Sequence, residues 1–152
     1  MIYIIAVGKM KEKFLKDAFD NYKKMISRFD KVELIELKDE NTDDARIAKK
    51  KEAERILEKI PKKAFVITTE IEGKMLSSEE FASKLSDIYT YNSPDICFII
   101  GGSCGLDDSV KERSDLALSF SKMTFAHQLF RVFLAEQIYR AFKINNNESY
   151  HK

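Results

Sequence analysis

Three of the chain's five glycines fall in one pentapeptide, Gly101-Gly102-Ser103-Cys104-Gly105, directly after the apolar run Asp95–Ile100. Glycines let backbone N–H groups come close to a ligand and take up positive φ without a steric cost. Beyond the carboxyl end of a parallel strand, such a loop lies where open sheets bind their ligands. It is not a dinucleotide fingerprint, because the third glycine comes too early, and it lacks the Lys-Ser/Thr of a phosphate loop. Alone, it reads equally well as a tight strand-to-helix turn. A second segment, Ser119-Phe120-Ser121-Lys122-Met123-Thr124-Phe125, carries aromatic, thioether and hydroxyl groups with no glycine or proline. Solvated connections are rarely so apolar. The segment is either buried or the wall of a pocket for a flat apolar group such as adenine. The tail, Glu148-Ser149-Tyr150-His151-Lys152, joins an aromatic ring, an imidazole and a cation. It can stack on a base and contact phosphate, or fray as free termini do.

Other chemistries find little support. Cys104 has only His127 and His151 as possible bases, and no spacing places either beside it. His127 reads as a residue that caps or flanks the last helix. Cys97 and Cys104 lack the company that zinc requires, so reduced thiols and no metal are expected. No run is long enough to span a bilayer, and Met1–Val7 reads as a buried strand rather than a signal peptide. Those features together describe a cytoplasmic protein. A net charge of +1 argues against gripping nucleic acid by bulk electrostatics. The ends are nonetheless basic: residues 1–30 hold seven Lys/Arg against four Asp/Glu, and residues 122–152 hold five against two. A fold that joins the ends would make one patch of them.

The elements that must position these groups alternate. Ile2–Val7 is β-rich, and an amphipathic helix follows from about Glu12 to Arg28 with Phe14, Leu15, Ala18, Tyr22 and Met25 on one face. Val32–Leu37 alternates apolar and acidic residues, as a strand with one wet face does. Asp43 or Asp44 caps a charged helix ending near Lys59, with a sparse stripe of Ala48, Ala53, Ile56 and Leu57. Ala64–Thr69 is a third strand. Ser77 and Glu80 form a capping box for a helix with Phe81, Leu85 and Ile88 inward. Asp95–Ile100 suits a strand covered on both faces. A short helix over Asp107–Ser114, a strand near Leu116–Phe120 and a last helix from His127 to Ile144 complete the chain. The expectation is one α/β domain over residues 1–152, a mainly parallel sheet with helices on both faces. The last helix is apolar around more than half its circumference, which favours a homodimer over a central position in a small sheet.

Taken together, these segments resemble the RlmH family of the SPOUT methyltransferase superfamily. The resemblance rests on Ala6-Val7-Gly8-Lys9, on Val66-Ile67-Thr68-Thr69-Glu70-Ile71-Glu72-Gly73-Lys74, on Ile99-Ile100-Gly101-Gly102 and on Ala117 through Phe125. His127-Gln128, Arg131, Glu136, Tyr139-Arg140-Ala141 and Tyr150-His151 complete it, so it covers essentially the whole chain. It implies a C-terminal trefoil knot, which general topology rules disfavour, and a homodimer. It implies S-adenosylmethionine as cofactor, with contacts at Thr69, Gly101 and Phe120, Ser121, Lys122, Met123, Thr124 and Phe125. It implies methylation at N3 of a pseudouridine in helix 69 of 23S rRNA within the assembled 70S ribosome. Arg140, Tyr150 and His151 match positions on the RNA side of such a site, where His151 or Arg140 would take up the acceptor's proton or steady its charge. Thr69 stands where relatives often carry Leu, and Ala126 where the family pattern has Pro. Two further readings share the same sheet and basic ends: a non-catalytic ribosome-binding factor, and a SPOUT methyltransferase acting on transfer RNA.

Overall fold

The computed structural model describes residues 1–152. Five strands form one sheet: β1 (Ile2–Val7), β2 (Val32–Leu37), β3 (Phe65–Met75), β4 (Ile96–Ile100) and β5 (Leu116–Ser119). Their spatial order is β2-β1-β4-β3-β5, and every neighbouring pair is parallel. Five α-helices connect and follow them: α1 (Lys13–Ile26), α2 (Ala45–Lys59), α3 (Ser78–Asp87), α4 (Asp108–Arg113) and α5 (His127–Asn145). A wide π turn over Ile88–Asn92 closes α3.

The period of two along the strands sorts the core into two layers. Ile2, Ile4, Ala6, Phe98 and Ile100 pack with Leu15 and Phe19 of α1, Phe81 and Leu85 of α3, and Leu134 and Ile138 of α5. Ile5, Val7, Cys97 and Ile99 face the other way, onto Ala53 and Ile56 of α2 and Val110 of α4. Helices therefore cover both faces, as the alternation of elements predicts. All five residues of β4 are buried, which accounts for its unbroken apolar sequence.

Helix starts follow the expected chemistry. Asp44, rather than Asp43, caps α2 by accepting from the N–H groups of Arg46 and Ile47. Ser77 and Glu80 form the reciprocal capping box of α3. Four elements depart from expectation. In α2, Leu57 is 37% exposed and Glu52 stands on the buried face beside Ala48, Ala53 and Ile56. The buried face of α1 is Leu15, Phe19 and Ile26, a stripe rotated from the expected one, and it leaves Phe14 68% exposed. β3 runs on past Thr69 to Met75. β5 stops at Ser119 and does not include Phe120.

The extension of β3 is irregular. Thr69 and Lys74 both pair with Leu118 of β5, so Glu70–Gly73 bulge out between them. Bulges re-aim side chains next to sites, and here the bulge turns Glu70 and Ile71 to the carboxyl end of the sheet. Gly73 makes this possible, since a β-carbon there would lie 2.7 Å from the Ala117 carbonyl carbon. Gly73→Ala is expected to lower stability by about 1–3 kcal/mol, the usual range for forcing an atom into a packed site. Chemical denaturation measures it, and an unchanged midpoint would show that β5 yields without cost.

Candidate active site

The glycine loop and the apolar connection meet at the carboxyl end of the sheet. They enclose a cleft of about 590 Å³ lined by Thr69 to Glu72, Ile100 to Leu106, Leu118 to Ser121, Met123 to Phe125, Lys111, His127 and Phe130. That volume lies inside the range of about 300–1,000 Å³ typical of small-molecule sites. The floor is the turn after β4, where the Gly105 N–H donates to the Gly102 carbonyl at 3.0 Å. Gly105 has φ +82°, the left-handed conformation that glycine adopts freely.

The segment from Phe120 to Phe125 proves to be both buried connection and pocket wall. Phe120 meets the Phe130 ring edge-on at 4.8 Å, and Phe125 packs on Phe130 and Phe133 of α5. The loop is pinned by its own hydroxyls: Ser119 Oγ donates to the Ser121 carbonyl, and Ser121 Oγ accepts from the Met123 N–H. An aromatic cluster anchors the wall while Met123, 74% exposed, and Thr124 face the opening. Of the residues expected to touch a cofactor, Thr69, Gly101, Phe120, Ser121, Met123, Thr124 and Phe125 line the cleft and Lys122 does not. The Thr69 hydroxyl is occupied, donating to the Ile99 carbonyl at 2.9 Å.

The tail does not fray. It folds back on the C-terminal half of α5, where Arg140, Tyr150 and His151 form one cluster. Arg140 Nη1 lies 3.1 Å from His151 Nδ1, and its guanidinium sits over the Tyr150 ring, 4.7 Å from the centroid. Glu136, one turn earlier, accepts from Arg140 Nε at 3.1 Å and from the Tyr150 hydroxyl at 2.9 Å. His151 Nε2 lies 2.6 Å from Glu79 Oε1 at the start of α3. Burial and the Glu136 carboxylate raise the Tyr150 phenol, so it stays a protonated donor. Glu79 is absent from the sequence reading, and Glu136 enters it only as part of the resemblance, with no role. The four-residue spacing of Glu136 and Arg140 on one helix was the available signal.

Acid should loosen this tail. The hydrogen bond to His151 holds the Glu79 carboxyl below its ordinary range, and Lys143 with Arg28 does the same for Glu148. A carboxylate lowered on folding stabilises above its unfolded pKa and loses that contribution as pH falls through the folded value. Carboxypeptidase should therefore remove Lys152 and His151 faster below the ordinary carboxylate range than at neutral pH. A rate that tracks only the enzyme's own pH profile would contradict this.

None of Arg140, Tyr150 and His151 lines the cleft of its own chain. The two basic ends do meet, since α1 packs along α5 and Arg28 pairs with Glu148 at 2.7 Å. The thiols behave differently from each other. Burial pushes Cys97 up to about 12, whereas Cys104 is half-buried at the cleft. One thiol per native chain is expected to react rapidly with a thiol reagent and a second only on unfolding. Fast reaction of both would refute the burial of Cys97. No group of three or more His, Cys, Asp or Glu is placed to hold a metal ion, and no helix is long and apolar enough to cross a membrane.

A glycine-floored cleft beyond a parallel sheet is common to many enzymes, and the sequence comparisons narrow it. The family described as "Predicted SPOUT methyltransferase" matches residues 1–151. The chain belongs to the SPOUT methyltransferase family. A ribosomal RNA large subunit methyltransferase H of Clostridium botulinum (strain Alaska E43) is 51% identical over 157 residues, with 99% of both chains covered. That of Clostridioides difficile (strain 630) is 50% identical, with the same coverage. Among solved structures, one described as a "probable methylase family protein" from Haemophilus influenzae Rd KW20 superposes with a TM-score of 0.58 at 16% identity, over 99% of this chain and 70% of that one. That last likeness concerns the fold alone. The SPOUT assignment bears out both the resemblance and the five-stranded parallel α/β architecture.

Proposed function

We propose that this chain is an S-adenosylmethionine-dependent methyltransferase acting on large-subunit ribosomal RNA, at N3 of a pseudouridine in helix 69 of the assembled 70S ribosome. The observation that carries the reading is the meeting of Gly101, Thr69 and the segment Phe120–Phe125 around one cleft, in a chain that matches SPOUT methyltransferases over residues 1–151. The chemistry of the lining fits the cofactor: apolar walls suit adenine, glycine backbone suits close contact, and Glu70 and Glu72 suit a cationic group. S-adenosylmethionine, when bound, supplies an electrophilic methyl group on a sulfonium.

The residues of the chain bind, orient and manage a proton. The lining backbone and aromatic wall would hold the methyl donor, and positioning supplies much of the acceleration in such a displacement. N3 of the pseudouridine lies between two carbonyls and carries a proton that must leave. The Arg140 guanidinium, held by Glu136, can steady the negative charge that develops on those carbonyls, and His151 can take up the proton once its Nδ1, which accepts from Arg140 in the free chain, is released. Because these groups stand apart from their own cleft, the reading includes a homodimer in which one tail completes the partner's site. Leu129 and Phe133, 37% and 38% exposed on α5, support such a contact. A trefoil knot at the C-terminal end and residence in the cytoplasm, beside the ribosome, belong to the same reading.

Incubation with methyl-labelled cofactor and intact ribosomes, free large subunits or transfer RNA tests it. Label should enter intact ribosomes and map to helix 69. Label in transfer RNA alone would move the substrate, and absence of both label and cofactor binding would leave a ribosome-binding factor.

A further inference from the structure

One ionisable side chain is buried behind the cleft and used by nothing described so far. The inner face of α2 is Ala48, Glu52, Ala53 and Ile56, and Glu52 is only 4% exposed. Its Oε2 accepts from the Glu40 N–H at 3.2 Å, whereas Oε1 is buried without any hydrogen-bond partner. Oε1 points at the glycine loop: a β-carbon on Gly102 would lie 3.1 Å from it, and as close to Val7 Cγ1. Gly102 is itself buried and lines the cleft on its other side. The carboxyl group and the cleft thus sandwich one residue of the loop.

An unpartnered buried polar atom costs stability, and an apolar residue at position 52 would pack without that cost. Native proteins keep few such atoms, and those they keep call for an explanation. We propose that Glu52 is a positioning residue for the cofactor loop: its Oε1, unpartnered in the free chain and facing Gly102 from behind, forms a hydrogen bond with the loop backbone as the cofactor is received and so sets the loop's conformation. The inference rests on the reading that this loop holds S-adenosylmethionine.

The surroundings favour a neutral carboxyl. Burial raises Glu52 most, and Asp39 acts the same way. The hydrogen bond from the Glu40 N–H opposes this more than Arg55 does, and the Arg55 guanidinium is engaged by the Lys38 carbonyl and the Glu40 carboxylate. Lys49, one turn away on α2, lies against Gly105, and the loop from Gly101 to Gly105 contributes no charged side chain. In its protonated form the carboxyl can donate from Oε1 to a loop carbonyl while Oε2 keeps the Glu40 N–H. Glutamine reproduces that donor and acceptor without a charge.

The test is calorimetric titration of S-adenosylmethionine into the full-length wild type, Glu52→Gln and Glu52→Ala, with steady-state methylation of ribosomes alongside. Glu52→Ala should weaken cofactor binding by about tenfold, the size of one lost buried polar contact. Its KM for ribosomes should stay at the wild-type value, and Glu52→Gln should bind within about twofold of wild type. Wild-type affinity should also fall as pH rises through the Glu52 pKa, which burial raises above the ordinary carboxylate range, while Glu52→Gln stays flat. Unaltered binding by Glu52→Ala, or a Gln variant as weak as the Ala variant, would overturn the proposal. If Glu52→Ala does not fold, the Gln variant and the two pH profiles decide alone, and coincident profiles overturn it. Failure of the underlying reading looks different, because the wild type itself would then show no heat of binding.

Discussion

Arg140→Ala is expected to slow methylation of ribosomes by about two to three orders of magnitude, the loss seen when one donor to a developing negative charge is removed. Cofactor affinity should stay within about twofold, because the residue lies outside its own cleft. Arg140 reaches Glu136 through Nε and His151 through Nη1, and its plane lies over Tyr150. Lysine cannot reproduce that fork, so Arg140→Lys should be nearly as slow. Deletion of Tyr150–Lys152 should cost a comparable factor, and combining it with Arg140→Ala should add little, since the groups act as one unit. Single-turnover rates with saturating cofactor make the comparison. A loss of cofactor affinity in step with the rate would place this cluster in the cofactor pocket instead.

The second large effect concerns stability. Arg131 is 1% exposed, yet its guanidinium donates to Glu36 Oε2 at 2.7 Å and to the Val7 and Gly8 carbonyls at 2.9 Å each. Glu36 in turn accepts from the Met10 N–H at 2.7 Å. One buried cation therefore ties α5 to the ends of β1 and β2. Arg131→Met would strand two carbonyls and a partly buried carboxylate, and breaking such a pair costs about 3–5 kcal/mol. Against a total stability of about 5–15 kcal/mol, that is a large share. Urea unfolding of Arg131→Met, Glu36→Gln and the double variant should show the two changes to be strongly non-additive. A loss below about 1 kcal/mol would mean that water satisfies the stranded groups.

Much of this is legible in the sequence. Unbroken apolar sequence in β4 announced burial on both faces, and the spacing of Ser77 and Glu80 announced the start of α3. The bulge after Thr69 was not legible, because pairing of one residue with two is a property of the partner strand. Phe14 misled, since a helix stripe can rotate by one position when a larger ring such as Phe19 fills the core. In the candidate site, the glycine loop and the apolar connection were visible as oddities of composition. Their meeting around one cleft, and the separation of the tail from it, depend on strand order. Glu52 was invisible for a different reason: in a helix with so many charges, nothing marks the one that faces inward.

The strand order bears on synthesis at the ribosome. β4 lies between β1 and β3, so until Ile100 has been made the nascent chain holds a β1–β2 pair and a separate β3. Both pieces then present open edges able to pair with another chain. Only the arrival of β4 joins them, and β5 with α5 follows within the last third of translation. Chaperone dependence should therefore peak while residues 65–100 are emerging, and a slow stretch of codons there should raise aggregation.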